Sequence, residues 1–310
     1  MFDRLKKQIA EIQAEKPEPE VKQSSAVIRV IGDRASGKTT YMAALARFPN
    51  ANPDSVVQDI TAVNNDSNEL ISKAQNILED GLELEPTDLS SNAGEMSDYQ
   101  LSITLKSQVP FKALRTNLSG TSSKLNISCK DYAGEFFADL LHQTQDPKLA
   151  NYLEDCSSAT GIMFLLDGSS SRKDAEYAIG IEKFLKALSR SSNTSELKRV
   201  ALVLTKCELP ELWMKHHEPE KLAHIQFKQV CSKLRSWEST HSPCKVEFFT
   251  ASAFGVLGSH FKEPNSKLQQ RDRGGVTSVL KEPRHWRPFG LVAPIYWLCT
   301  GDRHNQLDKE

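Results

Sequence analysis

The sequence VIRVI at Val27–Ile31 runs directly into GDRASGKT at Gly32–Thr39. A mostly apolar run followed by a turn-rich segment is typical of a buried strand that ends in a loop. The second segment has the spacing G-x-x-x-x-G-K-T, whose backbone N–H groups wrap the phosphates of a nucleotide. A helical stretch, Tyr41 to Arg47, follows. Strand, loop and helix in this order predict a phosphate-binding loop.

The residue types in the loop fit that chemistry. Gly32 and Gly37 supply turns and a close backbone approach that side chains would block. Lys38 is placed to neutralise the terminal phosphates, and the Thr39 hydroxyl to ligate Mg²⁺. The predicted contacts with the nucleotide come from Gly32, Asp33, Arg34, Ala35, Ser36, Gly37, Lys38, Thr39 and Thr40.

Later strand patterns also end in polar segments. Leu125–Cys129 alternates apolar and polar residues and runs into DYAGE at Asp131–Glu135, a D-x-x-G sequence. The apolar run from Gly161 to Leu166 ends at Asp167. Two further apolar runs end in the segments TKCE, at Thr205–Glu208, and TASA, at Thr250–Ala253.

These motifs, in this order, resemble the Ras-like branch of the translation-factor-related GTPases, from about Ala26 to Gly258. The resemblance implies that Asp131 holds Mg²⁺ through water and that the Gly134 N–H bonds the γ-phosphate. TKCE is similar to the guanine-reading N-K-x-D, so Lys206 would cover the base and Glu208 would accept hydrogen bonds from it. The loop containing Ser252 and Ala253 would back the guanine carbonyl.

Two residues of TKCE depart from the family pattern. Thr205 replaces the usual Asn and can still hydrogen-bond locally. Glu208 is one methylene longer than the usual Asp, which leaves base specificity open. A site built to hydrogen-bond one base rejects another by roughly 10⁴-fold only when its polar groups are correctly placed.

The segment Gly81–Thr87 lies where a switch I segment would be expected. Thr87 is the candidate for the threonine that ligates Mg²⁺ in the triphosphate state, with Thr61 and Thr104 as competitors. Together with DYAGE and the ending from Arg287 to Leu298, this segment looks like the double-GTPase family of bacteria. The closing segment is expected to be a helix packed on the sheet.

Strand and helix patterns predict an α/β fold with three layers. Two alternating segments, Tyr99–Leu105 and Leu125–Cys129, predict an antiparallel hairpin, and the remaining alternation of strands and helices predicts a mostly parallel sheet with helices on both faces. The sequence Asp66-x-x-Glu69 resembles a capping box that opens a helix ending near Gly81. That helix would carry Leu70, Ala74, Ile77 and Leu78 on one face.

The chain divides into an N-terminal amphipathic helix and linker, 1–22, and a GTPase domain, 23–303, with insertions at 50–98, 106–124 and 259–286. Three roles are open for the N-terminal helix: packing on the surface of the domain, docking a partner, or reversible contact with a membrane. The stretch from His260 to Arg287 shows little periodicity and is expected to be disordered or a lid beside the base.

Composition narrows the functional classes. The chain has 310 residues, 39% apolar and 25% charged, with a net charge of -1, so overall charge favours neither nucleic acid nor anionic membrane. Six scattered cysteines predict reduced, mostly buried thiols. Because no apolar stretch is long enough to span a bilayer, no stable membrane insertion and a cytoplasmic location are expected. A metal site at His216 and His217 is not favoured, because no third ligand lies at the right spacing.

We therefore expect a nucleotide-dependent switch that binds GTP or GDP, hydrolyses GTP slowly with Mg²⁺, and acts with a protein effector or activating partner. Glu135 stands where Ras-like enzymes carry a water-orienting Gln, and Arg34 follows Gly32 closely enough to reach the γ-phosphate. Lys38, Glu135 and Arg34 are thus the catalytic candidates. Two alternatives remain: a P-loop ATPase whose metal-site aspartate is Asp167, and a GTP-loaded interaction module that does not hydrolyse.

Overall fold

The computed structural model describes residues 21–52, 54–82, 97–108, 121–131, 147–189, 199–270 and 276–309. Among them, seven strands form one sheet in the order β2-β3-β4-β1-β5-β6-β7. The strands are β1 (Val21–Ile31), β2 (Val57–Ala62), β3 (Asp98–Gln108), β4 (Thr121–Asp131), β5 (Gly161–Asp167), β6 (Arg199–Thr205) and β7 (Lys245–Thr250).

The strand that runs against the others is β3. It pairs antiparallel with both β2 and β4, whereas β4, β1, β5, β6 and β7 pair in parallel. The predicted hairpin is therefore confirmed, and its alternating apolar residues are buried, as in Leu101 and Ile127. Strand β2, which the sequence patterns did not predict, adds an outer strand beyond the hairpin.

Helices cover both faces of the sheet. They are α1 (Lys38–Arg47), α2 (Asn65–Glu79), α3 (Pro147–Ser157), α4 (Asp174–Leu188), α5 (Pro210–Trp213), α6 (Pro219–Gln226), α7 (Lys228–Thr240) and α8 (Ala293–Thr300). On one face, Tyr41, Leu70 and Ile295 from α1, α2 and α8 belong to one apolar cluster. On the other, α3, α4 and α7 supply a second cluster. The predicted three-layer α/β fold is thus confirmed.

Helix α2 begins two residues earlier than a capping box at Asp66 implies. Its N-cap is Asn64, whose side chain accepts a hydrogen bond from the Ser67 N–H at 3.0 Å. The Asn64 Oδ1 thus accepts from one of the backbone N–H groups that lack a partner at the helix start. The end near Gly81 is as predicted, since Gly81 follows the helix with a φ of +71°.

The expectation of disorder between His260 and Arg287 was wrong for the described residues of this stretch. After Gly255, β8 (Val256–Leu257) pairs with β9 (Glu263–Pro264), and β10 (Ser266–Gln270) pairs with β11 (Val276–Leu280). Side chains of Thr277 and Val279 lie against Gly81 at the end of α2. The β10–β11 hairpin therefore packs on α2 and is not a lid over the base.

Three strands are longer than the apolar runs that predict them. Strand β1 begins at Val21. Residues 106–108 belong to β3, and residues 121–124 belong to β4. All six cysteines carry free thiols, and Cys129, Cys156, Cys207 and Cys231 are buried. In the described part of the chain, the helices are too short or too polar to cross a bilayer.

Candidate nucleotide-binding site

The phosphate loop lies at the carboxyl end of β1, in the middle of the sheet. Ala35 has a φ of 63° and Gly37 a φ of 88°, so the backbone passes twice through the left-handed region. The Ser36 N–H donates to the Asp33 carbonyl at 3.1 Å, and α1 begins at Lys38. This path turns the chain sharply between the strand and the helix, as a loop that wraps phosphates requires.

Gly32 is required by close packing. A Cβ at this position would lie 2.4 Å from the Leu165 carbonyl oxygen and 2.6 Å from the Ser36 Oγ. A side chain would therefore push the loop away from β5. The Ser36 hydroxyl is itself buried and has no hydrogen-bond partner among the described residues.

Lys38 bends back into the loop. Its ammonium donates to the Gly32 carbonyl at 2.9 Å and to the Asp33 carbonyl at 3.2 Å. The positive charge is thereby held on the inner side of the loop, where a phosphate would replace carbonyl oxygen as its acceptor. Thr39 and Thr40 follow in the first turn of α1, both half-buried.

The first variable residue of the loop is tied to the start of α4. The Asp33 carboxylate forms an ion pair with Lys173 and accepts a hydrogen bond from the Tyr177 hydroxyl at 3.0 Å. It also accepts from the Arg34 N–H at 2.7 Å. The Arg34 guanidinium is exposed and makes no hydrogen bond or ion pair within the described ranges.

Thr205 connects the segment Thr205–Glu208 to the phosphate loop. Its hydroxyl lies 2.7 Å from the Ser36 carbonyl oxygen and 3.1 Å from that of Leu166. The predicted local hydrogen bonding by this threonine is confirmed. Since β6 and β1 are separated by β5, this contact fixes the distance between the two halves of the site.

Lys206 has a φ of 61°, an uncommon conformation for a residue other than glycine. Its ammonium lies 2.6 Å from the Asp167 Oδ2 at the end of β5. Burial opposes ionisation of Asp167, but hydrogen bonds from Lys206 and Ser169 outweigh it and hold the pKa of this carboxyl below its usual range. Asp167 is therefore a carboxylate that orients Lys206.

Glu208 is 4% exposed, and its Oε2 atom has no hydrogen-bond partner among the described residues. Burial raises the pKa of this carboxyl, although a hydrogen bond from Ser252 acts in the opposite direction. An unpaired acceptor of this kind is costly in a folded protein unless a ligand supplies the donor.

Ser252 and Ala253 form the neighbouring loop. The Ser252 backbone pairs with Phe289 through bonds of 3.0 and 3.1 Å, and its hydroxyl accepts from the Gly255 N–H at 2.7 Å. The Ala253 carbonyl accepts from the Trp286 indole at 2.8 Å. Residues far along the chain therefore hold this loop beside Glu208.

Several predicted site residues cannot be placed within this geometry. Thr87, Gly134 and Glu135 lie outside the described residues, as does the side chain of Asp131. The backbone of Asp131 ends β4 and pairs with Val30, two residues before the loop. Of the competing threonines, Thr61 and Thr104 lie within β2 and β3.

The sequence analysis missed the contacts of Lys173, Tyr177 and Asp167. The sequence marks Asp167 as a site residue, because it ends an apolar strand beside the site, but predicts for it only the role of a metal ligand. No sequence pattern marks Lys173, since it lies 140 residues from Asp33 in sequence.

No protein-family model matches the chain, and no curated protein matches it. Among solved structures, the yeast (S. cerevisiae) Ski7 GTPase-like domain bound to GTP is 15% identical with a TM-score of 0.38, over 83% of this chain and 49% of that chain. A bacterial selenocysteine-specific elongation factor is 16% identical with a TM-score of 0.33, over 74% and 25%. The SRb-GTP/SRX complex of Chaetomium thermophilum is 15% identical with a TM-score of 0.33, over 75% and 91%. The chain thus spans between a quarter and half the length of the first two.

The strand order decides the fold. The loop strand β1 lies between β4, which ends at Asp131, and β5, and the antiparallel strand β3 lies outside β4. The segments of Thr205 and Ser252 follow β6 and β7 at the same edge of the sheet. The chain has a three-layer α/β P-loop fold. Within that fold, the two groups of residues described above lie at the same edge of the sheet, where Thr205 connects them.

Proposed function

We propose that this P-loop protein is a GTP-binding molecular switch that hydrolyses GTP slowly with Mg²⁺. The observation that carries the proposal is the buried Glu208 carboxylate with its unpaired Oε2. Guanine offers two adjacent donors, N1–H and the 2-amino group, whereas adenine presents an acceptor at N1. A bound guanine would therefore satisfy this carboxylate, and adenine would leave it unpaired.

The arrangement of the two halves supports one continuous site. Thr205 joins the base-side segment to Ser36, and Lys206 is held over the end of β5 by Asp167. In the proposal, backbone N–H groups of Gly32–Thr40 and the Gly134 N–H bind phosphate. Lys206 covers the base, and Ser252 and Ala253 back its carbonyl.

The donor set near the loop fits Mg²⁺. Thr39 supplies a hydroxyl in the first turn of α1, and Asp131 ends the strand that pairs with β1. Hydroxyl and carboxylate oxygens are the ligands this ion prefers. We propose Thr39, Asp131 and Thr87 for the site. When bound, Mg²⁺ would neutralise charge developing on the phosphates.

For hydrolysis, Glu135 would orient the attacking water, and Arg34 would stabilise the γ-phosphoryl charge. Unassisted turnover is expected to be slow, on the order of 10⁻⁴ to 10⁻² s⁻¹. An activating partner or effector, and a cytoplasmic location, are part of the proposal.

The ATPase alternative is disfavoured by the position of Asp167. Its carboxylate is already engaged by Lys206 and by the Ser169 N–H and hydroxyl. A metal there would have to displace these partners. The second candidate, a GTP-loaded module that does not hydrolyse, remains because Glu135 replaces the usual glutamine.

The deciding experiment identifies the nucleotide. Purified protein is heated, and the released nucleotide is separated by chromatography; guanine nucleotide is expected. Recovery of adenine nucleotide alone would contradict the proposal. A phosphate-release assay with GTP and Mg²⁺ then distinguishes a slow GTPase from a module that only binds GTP. Lys38→Ala is the negative control.

A further inference from the structure

The phosphate loop carries a negative charge of its own. Asp33 is the first variable residue after Gly32, and its carbonyl oxygen binds both Ser36 N–H and the Lys38 ammonium. The backbone of this residue therefore lies at the inner side of the loop. Its carboxylate would repel an incoming triphosphate if it turned toward the same space.

In the structure, the carboxylate is held on the other side. The Oδ2 atom receives the Lys173 ammonium and the Tyr177 hydroxyl, and Oδ1 accepts from the Arg34 N–H. Lys173 ends a short 3₁₀ turn after β5, and Tyr177 lies in the first turn of α4. The loop itself, the 3₁₀ turn and α4 thus each supply one donor to the same carboxylate.

We propose that Lys173 and Tyr177 are positioning residues for the phosphate loop: they hold and neutralise Asp33, so that the loop can accept a triphosphate. This inference rests on the phosphate-binding part of the proposed function. It does not depend on which base is read.

The surroundings of the cluster agree with that role. The hydrogen bond to Asp33 raises the pKa of Lys173, so the lysine stays charged. Burial and the neighbouring Asp33 raise the pKa of Tyr177, so its hydroxyl remains a donor. Lys173 is 45% exposed in its side chain, and ion pairs this exposed contribute little to stability. Loss of Lys173 should therefore affect the loop more than the fold.

The test is calorimetric titration with two probes, GTP and inorganic tripolyphosphate, which engages the loop without a base. Lys173→Met should weaken binding of both by about tenfold, a change of about 1.4 kcal/mol. Lys173→Arg keeps the charge and should stay near the parent. Adding Asp33→Asn to Lys173→Met removes the repelling charge and should restore most of the affinity. Lys186→Met, an exposed lysine of α4 that pairs with Glu182, is the matched control.

Equal affinity of Lys173→Met and the parent would overturn the inference. So would a loss that Asp33→Asn does not rescue, because the lysine would then act through the fold. If circular dichroism shows that Lys173→Met does not fold, the single variant Asp33→Asn is titrated instead. Tighter binding of GTP and tripolyphosphate is then expected. Weaker binding would overturn the inference. Binding of tripolyphosphate without preference for GTP over ATP would contradict only the base assignment. Failure of the parent to bind either probe would overturn both.

Discussion

The two halves of the proposed site, one for phosphate and one for the base, are built differently. The loop from Gly32 to Thr39 keeps every defining residue of its motif, and its shape comes from the backbone, with left-handed turns at Ala35 and Gly37. The base half departs from its motif at Thr205 and Glu208, and depends on side chains. Phosphate recognition by backbone tolerates varied side chains, whereas base recognition depends on where one carboxylate lies.

The structure shows how the departures are accommodated. Thr205 still bonds the Ser36 carbonyl, so the shorter side chain keeps the two halves together. The longer Glu208 keeps its carboxylate buried. The difference between the halves can be tested by changing each in turn.

The largest expected effect is in the phosphate half. Lys38→Ala should weaken binding of every triphosphate, GTP or ATP, by at least about 100-fold, since losing one partner of a buried charge pair costs about 3–5 kcal/mol. Titration calorimetry measures it, with the exposed Lys228→Ala as control. Retained affinity in Lys38→Ala would show that the loop does not bind phosphate.

The next effect separates the halves. A hundredfold excess of GTP over its Kd should stabilise the parent by about 2.7 kcal/mol, and ATP at equal concentration by much less. Glu208→Ala should erase this difference in thermal melts. Glu208→Asp, the family residue, should retain it, and the exposed Glu211→Ala is the control. Equal stabilisation of the parent by both nucleotides would contradict the proposal that the site recognises guanine.

The raised pKa of Glu208 adds a pH test to the same residue. Only the ionised carboxylate accepts both guanine donors, so the preference for GTP should decline as the pH falls through the raised pKa of Glu208. Protonation of Glu208 has the opposite effect on the stability of the nucleotide-free protein. The neutral acid contributes stability at low pH, and this contribution is lost as the pH rises through the raised pKa.

A smaller effect is expected at Arg34. If its guanidinium stabilises the transition state, Arg34→Ala should slow single-turnover GTP hydrolysis by about tenfold, equivalent to about 1.4 kcal/mol of barrier. Nucleotide affinity, measured separately, should change little. A rate equal to the parent's, or faster, would mean that any assistance comes from elsewhere.

The smallest effect concerns the connection between the halves. Thr205→Val keeps the shape but removes the hydroxyl that meets Ser36, so GTP and ATP affinity should both fall by a few-fold, in line with a hydrogen bond worth about 1 kcal/mol. Thr205→Asn should restore binding. A loss confined to GTP would instead place Thr205 in base reading alone.

Periodicity and strand-end motifs were enough to predict most of the fold. Apolar runs and alternation identified β1, the β3–β4 hairpin and the parallel strands, because each buries a regular set of side chains. Strand β2 was missed because Val57 and Ile60 alone carry its buried apolar surface. The β10–β11 hairpin was missed because β10 is mostly polar and exposed, with Leu268 77% exposed, and only Val279 and Leu280 of β11 are buried.

The site divides in the same way. Lys38, Thr205 and Glu208 stand in sequence motifs, so their neighbourhood could be predicted. The contacts of Lys173 with Asp33 and of Lys206 with Asp167 come from tertiary packing between segments far apart in sequence. No local pattern marks such pairs, and Thr87, Gly134 and Glu135 remain predictions.

The position of β1 in the middle of the sheet has a consequence for slow motions. Residues 28–30 of β1 pair with β4 on one side and β5 on the other. Amides in such a strand exchange with deuterium only when much of the molecule opens, whereas β2 and β7 at the edges can fray locally. We expect the amides that precede Gly32 to be among the slowest to exchange. The phosphate loop would then keep its anchorage through every opening short of global unfolding.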